Sequence, residues 1–147
     1  INIFAQKVKN IKIKDVMSIP VIVTEESSVY DGIVALFLED VGTIFVISGN
    51  EGSLVGVASR KDFLKSTMGG IDIKKVPVGM IMTRSPNVIT ISPEDNVLQA
   101  AIKITEHEVD SLPVVSKEEN DGLETTEILG RISKSSITKL FVELCKD

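Results

Sequence analysis

Apolar residues recur along this chain in two rhythms, one helical and one extended, and the whole series comes round twice. Val29, Ile33, Phe37 and Val41 stand at four-residue spacing with Tyr30, Val34 and Leu38 beside them. That spacing predicts a helix with one buried face, opened by a cap at Ser28. Thr43 to Ser48 (Thr-Ile-Phe-Val-Ile-Ser) is nearly unbroken apolar and predicts a strand buried on both sides. Gly49-Asn50-Glu51-Gly52 has the composition of a hairpin turn, so Ser53 to Ala58 should pair back as the next strand. Upstream, Val21 to Thr24 is a short β-branched strand, and the Pro20 ring pushes Ile19 toward extended geometry. A short helix then leads from the Ser59–Asp62 turn through about Met68, where Gly69-Gly70 stops it.

The same order follows in the second half. Val88 to Ile91 predicts a strand, and Asp95-Asn96-Val97 caps a helix carrying Val97, Ala101, Ile104 and Val109. Ser111 to Ser116 is the buried strand, Ile128 to Ile132 its hairpin partner, and Ser133 to Leu144 the last helix. The register follows by subtraction: Val97 lies 68 after Val29 (97 − 29), and the same offset maps Val41 onto Val109 and Val46 onto Val114. Gly130 lies 74 after Gly56 (130 − 56), so the second hairpin loop, Lys117 to Thr126, is six residues longer. Its acidic, glycine-containing composition reads as an exposed, mobile insertion. Met17 and Met82, at matching places ahead of each repeat, read as packing plugs. The organisation expected is a connecting segment over 1–14, one repeat over 15–70, a linker over 71–76 and a second repeat over 77–147. Two β-α-β-β-α units, each with a sheet face to bury, should pack about a pseudo-two-fold axis in a mixed α/β (α+β) fold.

Composition narrows the function. Hydrophobic residues at 43% and charged residues at 25% suit a globular domain, and 4% aromatics without Trp make the core aliphatic. A net charge of −5 argues against a basic nucleic-acid face on this segment. One cysteine, Cys145, excludes an internal disulfide and fits a reducing compartment. No apolar run approaches ~18 residues and no signal peptide is evident, so the expected location is cytoplasmic, away from membrane. The chain opens at Ile1 with a basic, helix-compatible stretch, which reads as part of a longer protein.

The candidate chemistry gathers at Gly56-Val57-Ala58-Ser59-Arg60-Lys61-Asp62. A strand running straight into a helix leaves backbone N–H groups beside the positive end of the helix dipole, which suits an anion. Ser59 adds a hydroxyl, Arg60 and Lys61 add positive charge, and Asp62 adds a carboxylate able to hold two neighbouring sugar hydroxyls. Ser-x-x-Asp is equally a capping box, and the residues alone leave both readings open. Elsewhere the chemistry is thin. His107 is the one histidine, flanked by Glu106 and Glu108 on a solvated helix, so metal clusters and Ser-His-Asp catalysis find no support. Cys145 reads as an ordinary helix residue, and Glu25-Glu26 and Glu118-Glu119 as turn-flanking charges. No metal site and no enzyme activity are expected.

The duplicated unit resembles the CBS domain pair, or Bateman module. Three features carry the match: Asp15-Val16-Met17-Ser18 echoed by Met80-Ile81-Met82-Thr83 before Pro86; Ile44-Phe45-Val46-Ile47 echoed by Leu112-Pro113-Val114-Val115; and Gly-x-x-Ser-x-x-Asp from Gly56 to Asp62. In that family the cleft between repeats binds adenosine-containing ligands such as AMP, ADP, ATP, S-adenosylmethionine or NAD. The resemblance implies that Asp62 holds the ribose and Ser59 the phosphate. Ile19, Pro20 and Val21 would line the base with Ile44 and Phe45 nearby, and Arg60, Lys61 and Arg84 would meet a di- or triphosphate with Mg²⁺ bridging. ADP or ATP is favoured, with AMP as the alternative. The second repeat keeps Gly130 and Ser133 but puts Ser136 where the carboxylate belongs, so one nucleoside site is expected. Thr83, Arg84, Ser133 and Lys134 would make at most a phosphate subsite. At finer grain, Ile81 to Pro86 with Glu108 to Pro113 is similar to the CBS pairs of bacterial winged-helix repressors of gluconeogenic genes. That likeness implies a ligand-sensing homodimer acting on DNA through a preceding domain. The alternatives are a ligand-free dimerisation scaffold and a regulatory part of an enzyme.

Overall fold

The computed structural model describes residues 3–146. In chain order these form α1 (Ile3–Asn10), β1 (Ile22–Thr24), α2 (Val29–Glu39), β2 (Thr43–Ile47), β3 (Leu54–Ser59), α3 (Arg60–Met68), β4 (Thr83–Arg84), α4 (Val97–His107), β5 (Ser111–Asn120), β6 (Leu123–Ser133) and α5 (Lys134–Leu144). Single 3₁₀ turns at Ile13–Asp15 and Val78–Met80 stand ahead of the two repeats. The mixed α/β architecture is the one the periodicities predict.

The helices begin where side chains can take up their first N–H groups. Ser28 accepts from the Asp31 amide at 3.0 Å. Asn96 and Gln99 close a reciprocal capping box on α4, at 2.9 and 2.8 Å. Both helices end alike, with Asp40 (φ 50°) and Glu108 (φ 53°) in the left-handed region, 68 residues apart (108 − 40).

The chain falls into two compact units, one of Pro20–Val88 with Lys117–Glu127, the other holding the stretch up to Ile19 with Ile89–Ser116 and the stretch from Ile128. In the first, a four-stranded sheet runs in the order β1-β2-β3-β4. β1 lies parallel to β2 (Ile22 against Phe45), while β2 with β3 (Ile44 against Ala58) and β3 with β4 (Val57 against Thr83) are antiparallel. As predicted, β2 is buried on both faces, with Ile44, Phe45 and Val46 at 0% exposure. Ile44 and Val46 join Val29, Leu36, Phe63, Val78 and Met82 in the core of this unit.

In the second unit Val97, Ala100, Ile104, Leu112, Val114, Ile132 and Ile137 form the core with Ile13 and Val8. The strand expected over Val88–Ile91 shrinks to a single parallel bridge, Ile91 to Val114. Its counterpart survives in the first unit because the Phe45 amide donates to the Val21 carbonyl at 2.9 Å. At +68 these positions are Pro113 and Ile89, and proline has no amide hydrogen to give. The acidic stretch Lys117–Thr126 also departs from expectation. It is a β5–β6 ribbon rather than a mobile loop, turning through Asp121 (φ 53°) and Gly122 (φ 79°). Asp-Gly in that geometry is a tight hairpin turn, and the Thr126 amide donates to Ser53 Oγ at 2.9 Å.

The boundaries of the repeats and of the compact units do not coincide, because each repeat's lead-in segment joins the other repeat's unit. Val78 and Gly79 donate to the carbonyls of Ser27 and Glu25 at 2.7 and 2.9 Å. Ile13 and Lys14 donate to those of Asp95 and Pro93 at 2.8 and 3.0 Å, the same places shifted by 68. Lys12 and Lys14 also grip Glu94 at 2.7 and 3.1 Å, and their hydrogen bonds hold its carboxyl below the usual range.

Two strand glycines admit these segments. A Cβ on Gly56 would stand 2.5 Å from Met82 Sδ and 2.6 Å from the Thr83 carbonyl oxygen. One on Gly130 would stand 2.7 Å from Met17 Sδ and 3.0 Å from the Ser18 carbonyl. Met82 is buried and Met17 packs on its unit's core, the plug role expected of both. Gly56→Ala should therefore cost about 1–3 kcal/mol in urea unfolding, since relief means breaking the β3–β4 pairing. Gly130→Ala should behave alike.

Candidate functional site

β3 alternates buried and half-buried residues from Leu54, and the last of them, Ser59, keeps extended geometry (φ −102°, ψ 168°) as the cap of α3. Its hydroxyl accepts from the Asp62 amide at 3.4 Å and donates to Asp62 Oδ2 at 3.2 Å. The Ser59 amide donates to the same oxygen at 2.9 Å. The capping box is thus complete. Asp62 Oδ1 takes part in none of these bonds, so one oxygen of a half-buried carboxylate is fixed in place at the helix start.

The backbone at this point is less open than a strand-to-helix turn suggests. The Arg60 amide donates to the Gly42 carbonyl at 3.1 Å and the Asp62 amide goes to Ser59, which leaves Lys61 the first-turn amide outside these bonds. The side chains of Arg60 and Lys61 are exposed and carry the positive charge of the site. Pro20 and Val21 are half-buried in the same unit as Ser59 and Asp62. Ile44 and Phe45 offer no open surface, and Phe45 supports Val21 from beneath through its amide. Ile19 is 86% exposed and closes the other unit's first stretch, where Arg131 Nε donates to its carbonyl at 3.0 Å.

The four residues of the expected phosphate subsite divide between the units: Thr83 and Arg84 form β4 in one, Ser133 and Lys134 open α5 in the other. Both cations are engaged. Arg84 Nη2 folds back to donate to the Gly79 carbonyl at 2.6 Å, and Lys134 Nζ lies 3.3 Å from Asp110 Oδ1. Ser133 accepts from the Ser136 amide at 3.1 Å and donates to the Ser136 hydroxyl at 2.9 Å. Asp110 and Arg131 escaped the sequence reading. Spacing could have found Asp110, which sits 68 after Gly42 (110 − 42) and, like it, accepts from the first amide of the next helix. Among the described residues, no group of three or more His, Cys, Asp or Glu side chains could hold a metal ion, and no helix is long and apolar enough to cross a membrane.

The two caps differ by one carboxylate, and that difference is measurable. Asp62→Ala should cost about 1 kcal/mol of stability through the lost cap. Ser136→Asp should recover a comparable amount by giving the Ser133 amide an acceptor near the α5 dipole, about 0.5–1 kcal/mol. Denaturant midpoints of the two variants decide both values.

Comparison with known proteins places these features. The CBS domain family model matches residues 13–69 and again 78–143. The transcriptional repressor CcpN of Bacillus subtilis is 43% identical over 145 residues, covering 99% of this chain and 66% of the repressor. This chain therefore spans just under two thirds of that relative's length. Among solved structures, a putative acetoin utilization protein (AcuB) from Vibrio cholerae has a TM-score of 0.75 at 21% identity, covering 91% of this chain and 92% of that one. The CBS domain pair of protein MJ0100, solved with 5′-methylthioadenosine and S-adenosyl-L-methionine, has a TM-score of 0.74 at 24% identity, covering 90% and 97%. The family model matches twice along the chain, and the chain belongs to the CBS domain family as a pair of such domains.

Proposed function

We propose that this chain is a regulatory module that binds an adenine nucleotide, ADP or ATP, and reports its occupancy to a tethered DNA-binding repressor domain. The observation that carries the reading is Asp62, a half-buried carboxylate whose Oδ1 is outside the cap bonds at the start of α3. A carboxylate is a charged acceptor with two oxygens for the two ribose hydroxyls, and Ser136 in the second repeat has one neutral hydroxyl in its place. The MJ0100 pair, which binds two adenosine-containing molecules, and the relation to a repressor support the same reading.

In this reading Ser59 meets phosphate and Asp62 the ribose, while Arg60 and Lys61 offset the charge of a di- or triphosphate. Ile19, Pro20 and Val21 face the adenine, with Ile44 and Phe45 fixing β1 beneath them. Thr83, Arg84, Ser133 and Lys134 are the secondary phosphate-binding residues, and Mg²⁺ would arrive with the nucleotide phosphates. The residues serve binding without chemistry: His107 is exposed, and no nucleophile–base pair accompanies Asp62. The module works in the cytoplasm as a homodimer, and its DNA contacts belong to a segment preceding residue 1. Nucleotide binding shifts the population of the state the DNA-binding domain reads.

A second reading is a ligand-free dimerisation scaffold, favoured by the closed capping box, which satisfies Ser59 and Asp62 without a ligand. Calorimetric titration with AMP, ADP, ATP and S-adenosylmethionine, on this chain and on Asp62→Ala, separates the two. Binding of one nucleotide that the variant loses is the expected result. A ligand at a hundred times its Kd should add about 2.7 kcal/mol of stability. Absence of heat and of thermal shift with all four at millimolar concentration would leave the scaffold. With Mg²⁺ chelated, ATP should bind more weakly than ADP if the cation bridges its phosphates.

A further inference from the structure

The lead-in segments of the two repeats leave their strand partners differently. In the first unit Thr83 lies against Val57, and the ladder runs on, with the Ser85 amide donating to the Val55 carbonyl at 3.0 Å. In the second unit Ser18 lies against Arg131, the same pair shifted by 65 on the lead-in (83 − 18) and by 74 on the strand (131 − 57). There the ladder stops, because Pro20 stands in the place of Ser85 and has no amide hydrogen to give Leu129. A side chain takes over. Arg131 Nε donates to the Ile19 carbonyl at 3.0 Å, beside the paired main-chain bonds of Ser18 and Arg131 at 2.8 and 2.9 Å. The first repeat carries Val57 at this place, which has no side-chain donor.

We propose that Arg131 is a positioning residue for the base-lining stretch Ile19-Pro20-Val21. The proposal rests on the nucleotide reading above and deepens it by naming what holds that stretch. The Ile19 carbonyl and the Pro20 nitrogen share one peptide plane. The proline ring fixes its own φ, so the direction of the ring follows rotation about the Ile19 Cα–C bond. That rotation carries the carbonyl oxygen with it, and a donor bound to the oxygen arrests both. Two residues on, the Phe45 amide holds the Val21 carbonyl at 2.9 Å, so the stretch is tied at each end through a carbonyl. Ile19 is 86% exposed, too open for packing to fix it. An apolar surface already set in place spares a bound base the cost of ordering it. Arg131 acts on the stretch and has no need to touch the nucleotide.

Two variants of matched length separate a donor from a charge. Arg131→Gln keeps an N–H donor at the same number of bonds from the backbone and removes the charge, whereas Arg131→Met removes both. Calorimetric titration of the chain with ADP should show Arg131→Met binding about three- to tenfold more weakly than wild type. Arg131→Gln should stay close to the wild-type affinity, and both variants should keep the wild-type melting temperature. If Arg131→Met folds poorly, Arg131→Val replaces it, since the first repeat accepts valine at the matching place. A loss in Arg131→Gln as large as in Arg131→Met would make the charge the active feature and overturn the positioning role. Arg131→Met binding as tightly as wild type, while Asp62→Ala loses ADP, would overturn the role and leave the nucleotide reading standing. A wild-type chain that binds no ADP, ATP or AMP would overturn both.

Discussion

The backbone of Thr83 can lie against Val57 only because Gly56 beside it carries no side chain, and Met82 fills the space a Cβ would occupy. That close approach sets the fourth strand of the first unit's sheet, and with it the burial of Val78 and Met82 in a core otherwise built from the first repeat. The same arrangement stands in the second unit, where Gly130 faces Met17 and the Ser18 carbonyl. Main-chain bonds do most of the joining, so the segment's composition is free to vary: Ile13-Lys14-Asp15 and Val78-Gly79-Met80 make equivalent turns from unrelated residues.

What was legible in the chain is what depends on neighbours in sequence. Ser28, Asn96 and Ser133 cap helices because a side chain three residues from an amide needs nothing beyond local geometry. The double burial of β2 followed from its unbroken apolar run. Partnership across the sheet was not legible. Subtraction aligned Met82 with Met17 and said they do the same work, but it could not say which repeat each works for. The Val88–Ile91 strand failed for a reason visible only once its partner was known, because the missing donor sits on Pro113. The ribbon over Lys117–Thr126 was hidden by its charge: four carboxylates suggested a loop, whereas Asp121-Gly122 was the stronger local signal.

At the candidate site the motif was readable and its surroundings were not. Ser59 and Asp62 stand as the spacing requires, yet one Asp62 oxygen is spent on the cap and two first-turn amides are already satisfied. A ligand at this helix start would meet side chains more than free backbone amides. The repeats differ at single matched positions of a shared frame: Asp62 against Ser136, Phe45 against Pro113, Phe37 against Thr105. Each exchange removes a single capacity, an acceptor, a donor or a protrusion, and leaves the frame intact.

The exchange of lead-in segments also bears on ancestry. A gene encoding a lone repeat would yield a chain whose own sheet edge is vacant and whose leading segment lacks a seat. Two such polypeptides could satisfy one another by trading those segments, so pairing of repeats is built into this unit. Carrying both repeats in one chain makes that exchange unimolecular and removes the need for the two halves to be identical.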